Sequence, residues 1–252
     1  MNRVLDKLFN KLPSLIRRNV IPLVRACYQA KAKRAMRQNK WCNICGWRGN
    51  QFDVSYSEVM RRDEIGVCPN CKSEPRQRAL FKYLQQEFLS DYLYKIKDGN
   101  FLCLEIGPDR SNPVEKALVG IVYMSVDFDA SHAMIQMDLT DLTFKDSTFD
   151  LVVCSHVLEH IGDDARGISQ IRRVLKQDGV ALIQVPIGYY DDPLGKYTVE
   201  FGERRVCEHY RSYGWDFADR LSGIGFKVDI VRFTDDRLGI KEEAIFKCRP
   251  SA

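Results

Sequence analysis

Residues 149–186 read FDLVVCSHVLEHIGDDARGISQIRRVLKQDGVALIQVP, and the order of patterns within them decides the fold. Leu151–Val153 is a continuous apolar run rich in β-branched residues, as in a strand buried on both faces. Asp163 and Asp164 stand where a helix would begin. Ile168, Ile171, Val174 and Leu175 then recur at helical spacing as far as Gly179, a residue suited to stopping a helix. Val180–Val185 reads as a second strand that ends at Pro186. A strand, helix and strand this close together imply a parallel pair with functional groups at the carboxyl end of the first strand. Cys154-Ser155-His156 occupies that end.

Outward from this unit, 252 residues leave room for one sizeable domain and an appendage. The content is 45% hydrophobic and 29% charged, ordinary for a globular protein. The net charge of +4 hides an asymmetry. Residues 1–40 carry eleven Lys/Arg against Asp6 alone, a net of +10, which leaves −6 for the rest. The body therefore gives no electrostatic reason to expect nucleic acid, and only the N-terminal arm does. No secretory signal is expected, because Arg3, Lys7, Lys11, Arg17 and Arg18 interrupt any apolar core there. No stretch reaches the roughly 18 apolar residues of a transmembrane helix. Of nine cysteines, four fall in CxxC pairs, and Cys103, Cys154 and Cys248 sit in strand-like runs as small hydrophobes. A reducing cytoplasm is the expected compartment.

Composition divides the chain into a basic arm (1–40), a Cys/Gly/Pro-punctuated module (41–75) and an alternation of strands and helices (76–252). In the arm Leu5, Leu8, Phe9, Leu12, Leu15 and Ile16 follow helical spacing, with Pro13 and Pro22 as kinks. Two readings stand side by side. The arm lies on an anionic membrane surface through residues 1–38, at the inner face of the membrane, or it packs on its own domain or a second subunit.

The module holds Cys42-Asn43-Ile44-Cys45-Gly46 and, after a 22-residue gap, Cys68-Pro69-Asn70-Cys71. Two CxxC knuckles at this separation set four thiolates for a tetrahedral zinc ion, and Gly46 permits the tight turn after the second ligand. Four protein ligands leave no open position, so the expected role is structural. Thirty-odd residues bury little core, so the metal would supply most of the module's folding free energy.

Farther along, Leu80, Phe81, Leu84, Phe88 and Leu89 form one helical face. Phe101–Ile106, Ile121–Val126 and Met134–Met137 read as strands, with a helix near Val114–Leu118. Phe217–Ser222 reads as a helix. Phe226–Phe233 and Glu243–Cys248 read as strands joined by a short polar loop, hence antiparallel.

Phe149-Asp150, Val157-Leu158-Glu159-His160-Ile161, Arg173-Val174-Leu175-Lys176 and Gly179 together resemble the central segment of class I S-adenosylmethionine-dependent methyltransferases. The resemblance implies a Rossmann-like α/β fold: a doubly wound, mostly parallel seven-stranded sheet finished by an antiparallel hairpin. The cysteine module followed by Arg76 and Arg78, the Glu-Ile-Gly-Pro loop and the Phe201-Gly202…His209-Tyr210-Arg211…Tyr213-Gly214 segment resemble a bacterial group with an N-terminal zinc ribbon, over about residues 41–234. That likeness brings no acceptor with it.

The resemblance assigns S-adenosylmethionine as cofactor and orders its contacts. Gly107, after the strand ending at Ile106, lets the backbone approach a ligand. Asp127, twenty residues later, has the chemistry to accept ribose hydroxyls. By resemblance Asp138 takes the adenine amino group with the Leu139 backbone beside the ring, Glu105 faces the methionine end, and Ser155 borders the site. The loop departs from the family pattern, with Gly107 followed by Pro108-Asp109-Arg110 where two or three glycines are usual.

For a hydroxyl acceptor a general base would help, by typically ~10²–10⁴ in rate. His156, at the end of the fourth strand, comes first. His209 is a second candidate, and His160, placed at the start of the helix, a third that could equally be a cap. His156 and His160 make an i, i+4 pair with no clear third metal ligand. The long Tyr189–Tyr213 connection suits a site cover, with Tyr210 and Arg211 as acceptor-pocket residues. Arg211 would hold a substrate carboxylate or phosphate, or else pair locally with Glu203 or Glu208. The expected activity is methyl transfer to a small-molecule or glycan hydroxyl. RNA base methylation guided by the ribbon, and a silent zinc-ribbon adaptor, remain open alongside it.

Overall fold

The strand at 149–155, which carries the apolar run Leu151–Val153, lies at the centre of the observed architecture, buried from Phe149 to Cys154. The computed structural model describes residues 39–57, 62–97, 99–129, 131–188, 195–202 and 209–251. The basic arm through residue 38, and residues 189–194 and 203–208 of the Tyr189–Tyr213 connection, with Glu203 and Glu208 among them, lie outside them.

In chain order the elements are β1 (Lys40–Trp41), β2 (Arg48–Gly49), β3 (Asp53–Ser57), β4 (Arg62–Val67), α1 (Pro75–Tyr83), a π turn (Leu84–Phe88), α2 (Leu89–Lys97), β5 (Leu102–Ile106), α3 (Pro113–Ala117), β6 (Val122–Asp127) and β7 (Ile135–Gln136). After them come β8 (Phe149–Ser155), a 3₁₀ turn (Leu158–His160), α4 (Asp164–Val174), β9 (Leu175–Gln184), β10 (Val199–Glu200), β11 (Arg211–Ser212), α5 (Phe217–Gly223), β12 (Phe226–Asp235) and β13 (Ile240–Pro250). Seven strands form one sheet in the order β12-β13-β9-β8-β5-β6-β7. The pairs from β9 to β7 are parallel, while β12, β13 and β9 pair antiparallel, as the short polar loop before Ile240 requires.

Period-two alternation along the central strands feeds two cores. Leu104, Ile106, Val152 and Cys154 point to one face, where Ile168, Ile171 and Val174 of α4 and Phe217 and Leu221 of α5 cover them. Cys103, Leu151 and Val153 point to the other, against Leu80, Leu84, Phe88 and Val114. Each fully buried aliphatic side chain contributes roughly 1.5–3 kcal/mol. Helices on both faces make the sheet doubly wound, as expected, and Cys103, Cys154 and Cys248 are buried in strands. Among the described residues no helix is long and apolar enough to cross a membrane.

Asp163 caps α4 by accepting from the Arg166 N–H at 3.0 Å, so the helix starts where its acids indicate. It does not run to Gly179. It ends at Val174, because Leu175 turns extended and pairs with Phe149 as the first residue of β9. Lys176 anchors the turn through Nζ to Asp150 Oδ2 at 2.7 Å. Gly179 is in the strand, where a Cβ would stand 3.0 Å from the Asp150 carbonyl oxygen. Its bareness serves close backbone approach and not helix termination.

The cysteine module joins the sheet through one buried cation. Arg78 of α1, fully buried, donates from Nε to the Leu238 carbonyl at 2.6 Å, from Nη2 to the Gly66 carbonyl at 2.6 Å and from Nη1 to the Ser73 carbonyl. Its guanidinium also lies 4.1 Å over the Phe52 ring, which packs against Gly239.

Candidate functional site

The carboxyl ends of β5 and β8 and the start of α1 enclose a cleft lined by Arg76, Gln77, Glu105, Gly107, Asp109, Ser155 and His156, with Leu80 and prolines 108 and 113. Glu105, Gly107, Ser155 and His156, four of the residues singled out in the sequence, therefore meet. Asp127, Asp138 and Leu139 do not line this cleft.

Gly107 has φ +66°, and its N–H donates to the Val126 carbonyl at 2.9 Å. A Cβ there would overlap Val157 Cγ2 and stand 4.0 Å from Asp127 Oδ2, so the bare backbone is needed both for the turn and for the space. This same glycine thus connects the cleft to Asp127, at the end of β6. Asp127 accepts the Asp129 N–H at 2.9 Å through Oδ1. Asp138 accepts the N–H and the hydroxyl of Thr140 through Oδ1, at 2.7 and 2.9 Å, and so caps the turn that follows. The Leu139 side chain is buried against Gly167.

Glu105 is 3% exposed and accepts from the Tyr123 hydroxyl at 2.5 Å. Burial pushes its carboxyl up to about 7, against the Tyr123 hydrogen bond, and Asp109 and Glu115 add to the rise. The folded chain therefore holds a proton that the unfolded chain releases near 4.5, and stability falls as pH rises between those values. Glu105→Gln is expected to be more stable than wild type at about pH 8 by on the order of 3 kcal/mol, the gap closing below about pH 4.5. Urea melts across that range test this, and a gap independent of pH would contradict it.

Arg76 enters the cleft from the first turn of α1, with Nε 3.0 Å from Glu74 Oε2 and Nη2 3.8 Å from Asp109 Oδ2. Its carbonyl accepts from Gln184 Nε2 at 3.4 Å, and the Gln184 side chain also receives the Ser155 hydroxyl at 3.0 Å. Sequence reasoning gave Arg76 no place in the site. The available signal was an arginine one residue after the proline that opens α1.

His156 closes β8 with φ +57°, a left-handed conformation costly for a residue with a Cβ and concentrated at functional positions. Its N–H donates to the Gln184 carbonyl at 2.9 Å, which holds the strained residue in place. The imidazole Nδ1 is 3.2 Å from Oε1 of the buried Glu159. Desolvation, and then the Arg76 charge, lower the His156 pKa below its ordinary value, so the ring is neutral at physiological pH.

The other two candidate histidines, His160 and His209, differ from the sequence picture. His160 is in the 3₁₀ turn Leu158–His160 and not at the start of α4, and its ring meets His209 edge-to-face at 4.5 Å. His209 is 6% exposed, and burial pushes its pKa down to about 4. Tyr210 lies against Gly162, and its N–H donates to the Glu159 carbonyl at 2.8 Å.

Arg211 is not free to hold a substrate anion. It is 3% exposed and donates to Glu200 Oε2 at 2.9 Å and to the carbonyls of Leu158, Ile161 and Gly162 at 3.1, 2.6 and 2.7 Å. Its ion-pair partners among the described residues are Glu200 and, at 3.7 Å, Asp164. Its planar fork is spent on fixing one loop against another.

Away from the cleft, Cys42, Cys45, Cys68 and Cys71 converge with all four Sγ atoms within 4.8 Å of one another. The two knuckles repeat one hydrogen-bond pattern: Cys42 N–H to Trp47 and Gly46 N–H to Cys42, then Cys68 N–H to Ser73 and Lys72 N–H to Cys68. Gly46 and Lys72, at the matching positions, both have left-handed φ, so lysine adopts the turn that glycine makes easy.

Residues 104–183 match the family described as "Methyltransferase domain". A mouse protein named arginine-hydroxylase NDUFAF5, mitochondrial, is 34% identical over 116 residues, covering 40% of this chain and 34% of that one. The Bacillus subtilis uncharacterized methyltransferase YcgJ is 30% identical over 70 residues, 28% of each chain. The chain thus spans about a third of the length of the curated relatives it matches. A Burkholderia thailandensis 1,6-didemethyltoxoflavin-N1-methyltransferase structure, with S-adenosylhomocysteine bound, is 16% identical with a TM-score of 0.48, over 78% of this chain and 100% of that one. The stretch that matches the methyltransferase-domain family thus runs from β5 to β9 and contains the strand ends that border the cleft.

Proposed function

We propose that the chain transfers a methyl group from S-adenosylmethionine to a hydroxyl of a small-molecule or glycan acceptor. The observation that carries this reading is His156: a strained, neutral imidazole at the end of β8, backed by a buried carboxylate and opening on the cleft that Glu105 and Gly107 border. The residues fit the cofactor chemically, with a backbone glycine that tolerates no Cβ and with carboxylates at the ends of successive strands. Glu105 and Gly107 would border its methionine end, Asp127 its ribose, and Asp138 and Leu139 its adenine. When bound it supplies a methyl already activated on a sulfonium.

The chain's own task is then to align the acceptor and receive its proton. His156 takes the hydroxyl proton as the oxygen–methyl bond forms and the methyl–sulfur bond breaks, its electron pair staying on sulfur. Glu159 stabilises the imidazolium that results, as a carboxylate behind a catalytic histidine does. Arginine hydroxylation, in the mouse relative's name, is a different reaction and belongs to that protein.

The four cysteines fit structural zinc. A tetrahedral ion with about 2.3 Å bonds sets its sulfurs roughly 3.8 Å apart, and the Cys42–Cys71 and Cys45–Cys68 separations are both 3.6 Å. We take residues 41–75 as that module, 76–252 as the methyltransferase unit and 1–40 as an arm for an anionic membrane surface at the cytoplasmic face. RNA is the second reading for the acceptor, supported by the cysteine module and the basic arm.

Incubation with methyl-labelled S-adenosylmethionine and, separately, a small-molecule and glycan extract or ribosomal RNA distinguishes the two. Label is expected in the extract as a base-stable ether and not in RNA. Label in RNA alone would overturn the acceptor assignment.

A further inference from the structure

We infer that Glu159, His160 and His209 form a second metal site, distinct from the four cysteines and suited to a divalent first-row transition ion. One ligand atom from each lies within 4.8 Å of the others. Glu159 is fully buried, and among the described residues none donates a hydrogen bond to either of its carboxylate oxygens. His156 Nδ1 approaches Oε1 to 3.2 Å but is not in hydrogen-bond alignment. A buried carboxylate in that state costs several kcal/mol unless a cation compensates it.

The surrounding chain is built to hold the three together. Glu159 and His160 come as neighbours on one 3₁₀ turn. His209, 49 residues later in the chain, is registered against that turn by the Tyr210 N–H on the Glu159 carbonyl and by three Arg211 bonds to the carbonyls of Leu158, Ile161 and Gly162. Four hydrogen bonds thus fix the segment beginning at His209, and Arg211 acts as a positioning residue for it. The edge-to-face approach of the two imidazoles at 4.5 Å is compatible with two nitrogens directed at one point.

The donor set selects the metal class. Two imidazoles and one carboxylate suit zinc, iron, cobalt, nickel or manganese, whereas magnesium and calcium prefer all-oxygen shells. Three protein ligands leave coordination positions open, unlike the closed four-cysteine set. Glu159 is in contact with His156, and His156 lines the cleft. The open positions are therefore one side chain from the transfer site, where an acceptor oxygen bound to the ion would be oriented and acidified. That last role rests on the methyltransferase reading, while metal binding itself does not. The site also reassigns His209 from candidate base to ligand.

Cobalt(II) titration of the full chain, with its thiolate-bound metal left in place, tests the site by calorimetry and visible absorption. Wild type should bind one further cobalt per chain without a thiolate-to-metal charge-transfer band, and its melting temperature should rise with cobalt. His160→Asn and His209→Asn should each weaken that binding at least about 100-fold, the upper end of what loss of even an outer-shell partner costs. No further cobalt in wild type, or wild-type affinity in both variants, would overturn the site and leave a buried His–Glu network. If a variant does not fold, the wild-type titration and melting shift decide alone. Cobalt binding without any S-adenosylmethionine binding would sink the methyltransferase reading and leave the metal site standing.

Discussion

Stripping the metal we propose at Cys42, Cys45, Cys68 and Cys71 is expected to unfold the cysteine module while the seven-stranded sheet stays folded. The module's two separate two-stranded sheets and its core of Cys42, Phe52 and Cys68 are too small to fold without a metal. Structural zinc supplies on the order of 10–16 kcal/mol to such modules at neutral pH, which exceeds every other local contribution here. Under a strong chelator, hydrogen exchange should become fast at the amides of Cys42, Gly46, Cys68 and Lys72, whose protection depends on the knuckle turns. Amides of β5, β8 and β9 should keep theirs. The damage will not stop at the module, because Arg78 relies on the Ser73 and Gly66 carbonyls and would be left buried with unpaired donors. A modest fall in the melting temperature of the sheet should accompany the loss. Knuckle amides that stay protected after complete metal removal would contradict the zinc assignment.

Arg211→Met should cost about 3–5 kcal/mol, the usual penalty for removing one partner of a buried ionic network. In a chain of this size that lowers the melting temperature by roughly 10 °C. Arg211 and Arg220 share Glu200 and Asp164: Arg220 contacts Asp164 at 2.5 Å and Glu200 at 2.6 Å, and the Tyr213 hydroxyl adds a 2.7 Å bond to Asp164. Methionine fills most of the volume but leaves the carbonyls of Leu158, Ile161 and Gly162 without their donor. The variant should also loosen His209 against Glu159 and weaken cobalt binding more than S-adenosylmethionine binding. A melting temperature within a degree or two of wild type would mean that the network contributes little.

The β-branched run at 151–153, the acids at 163–164 and the helical spacing of Ile168, Ile171 and Val174 were enough to draw the central unit, because local sequence governs those features. The hairpin of β12 and β13 was legible for the same reason. The end of α4 was not, since Leu175 leaves the helix only when Phe149 is present to pair with it. Four of the candidate residues, Glu105, Gly107, Ser155 and His156, lie together at the strand ends, while Asp127, Asp138 and Leu139 lie outside that cleft. Arg211 went astray because, besides Glu200 and Asp164, it is held by three carbonyls about fifty residues away, which no residue type announces. The Glu159–His160–His209 cluster was hidden by the same long-range closure: an adjacent Glu-His pair and one distant histidine carry no spacing rule. The convergence of the four thiols, by contrast, could be read from the spacing of the paired CxxC knuckles.

The most direct test of the central claim is a calorimetric titration of the full chain with S-adenosylmethionine, beside Asp127→Ala. One site per chain is expected, weakened roughly 10- to 100-fold in the variant, the equivalent of about 1.5–3 kcal/mol of hydrogen bonding to a charged group. No binding by wild type, or equal binding by the two proteins, would contradict a cofactor held between the Gly107 loop and the end of β6.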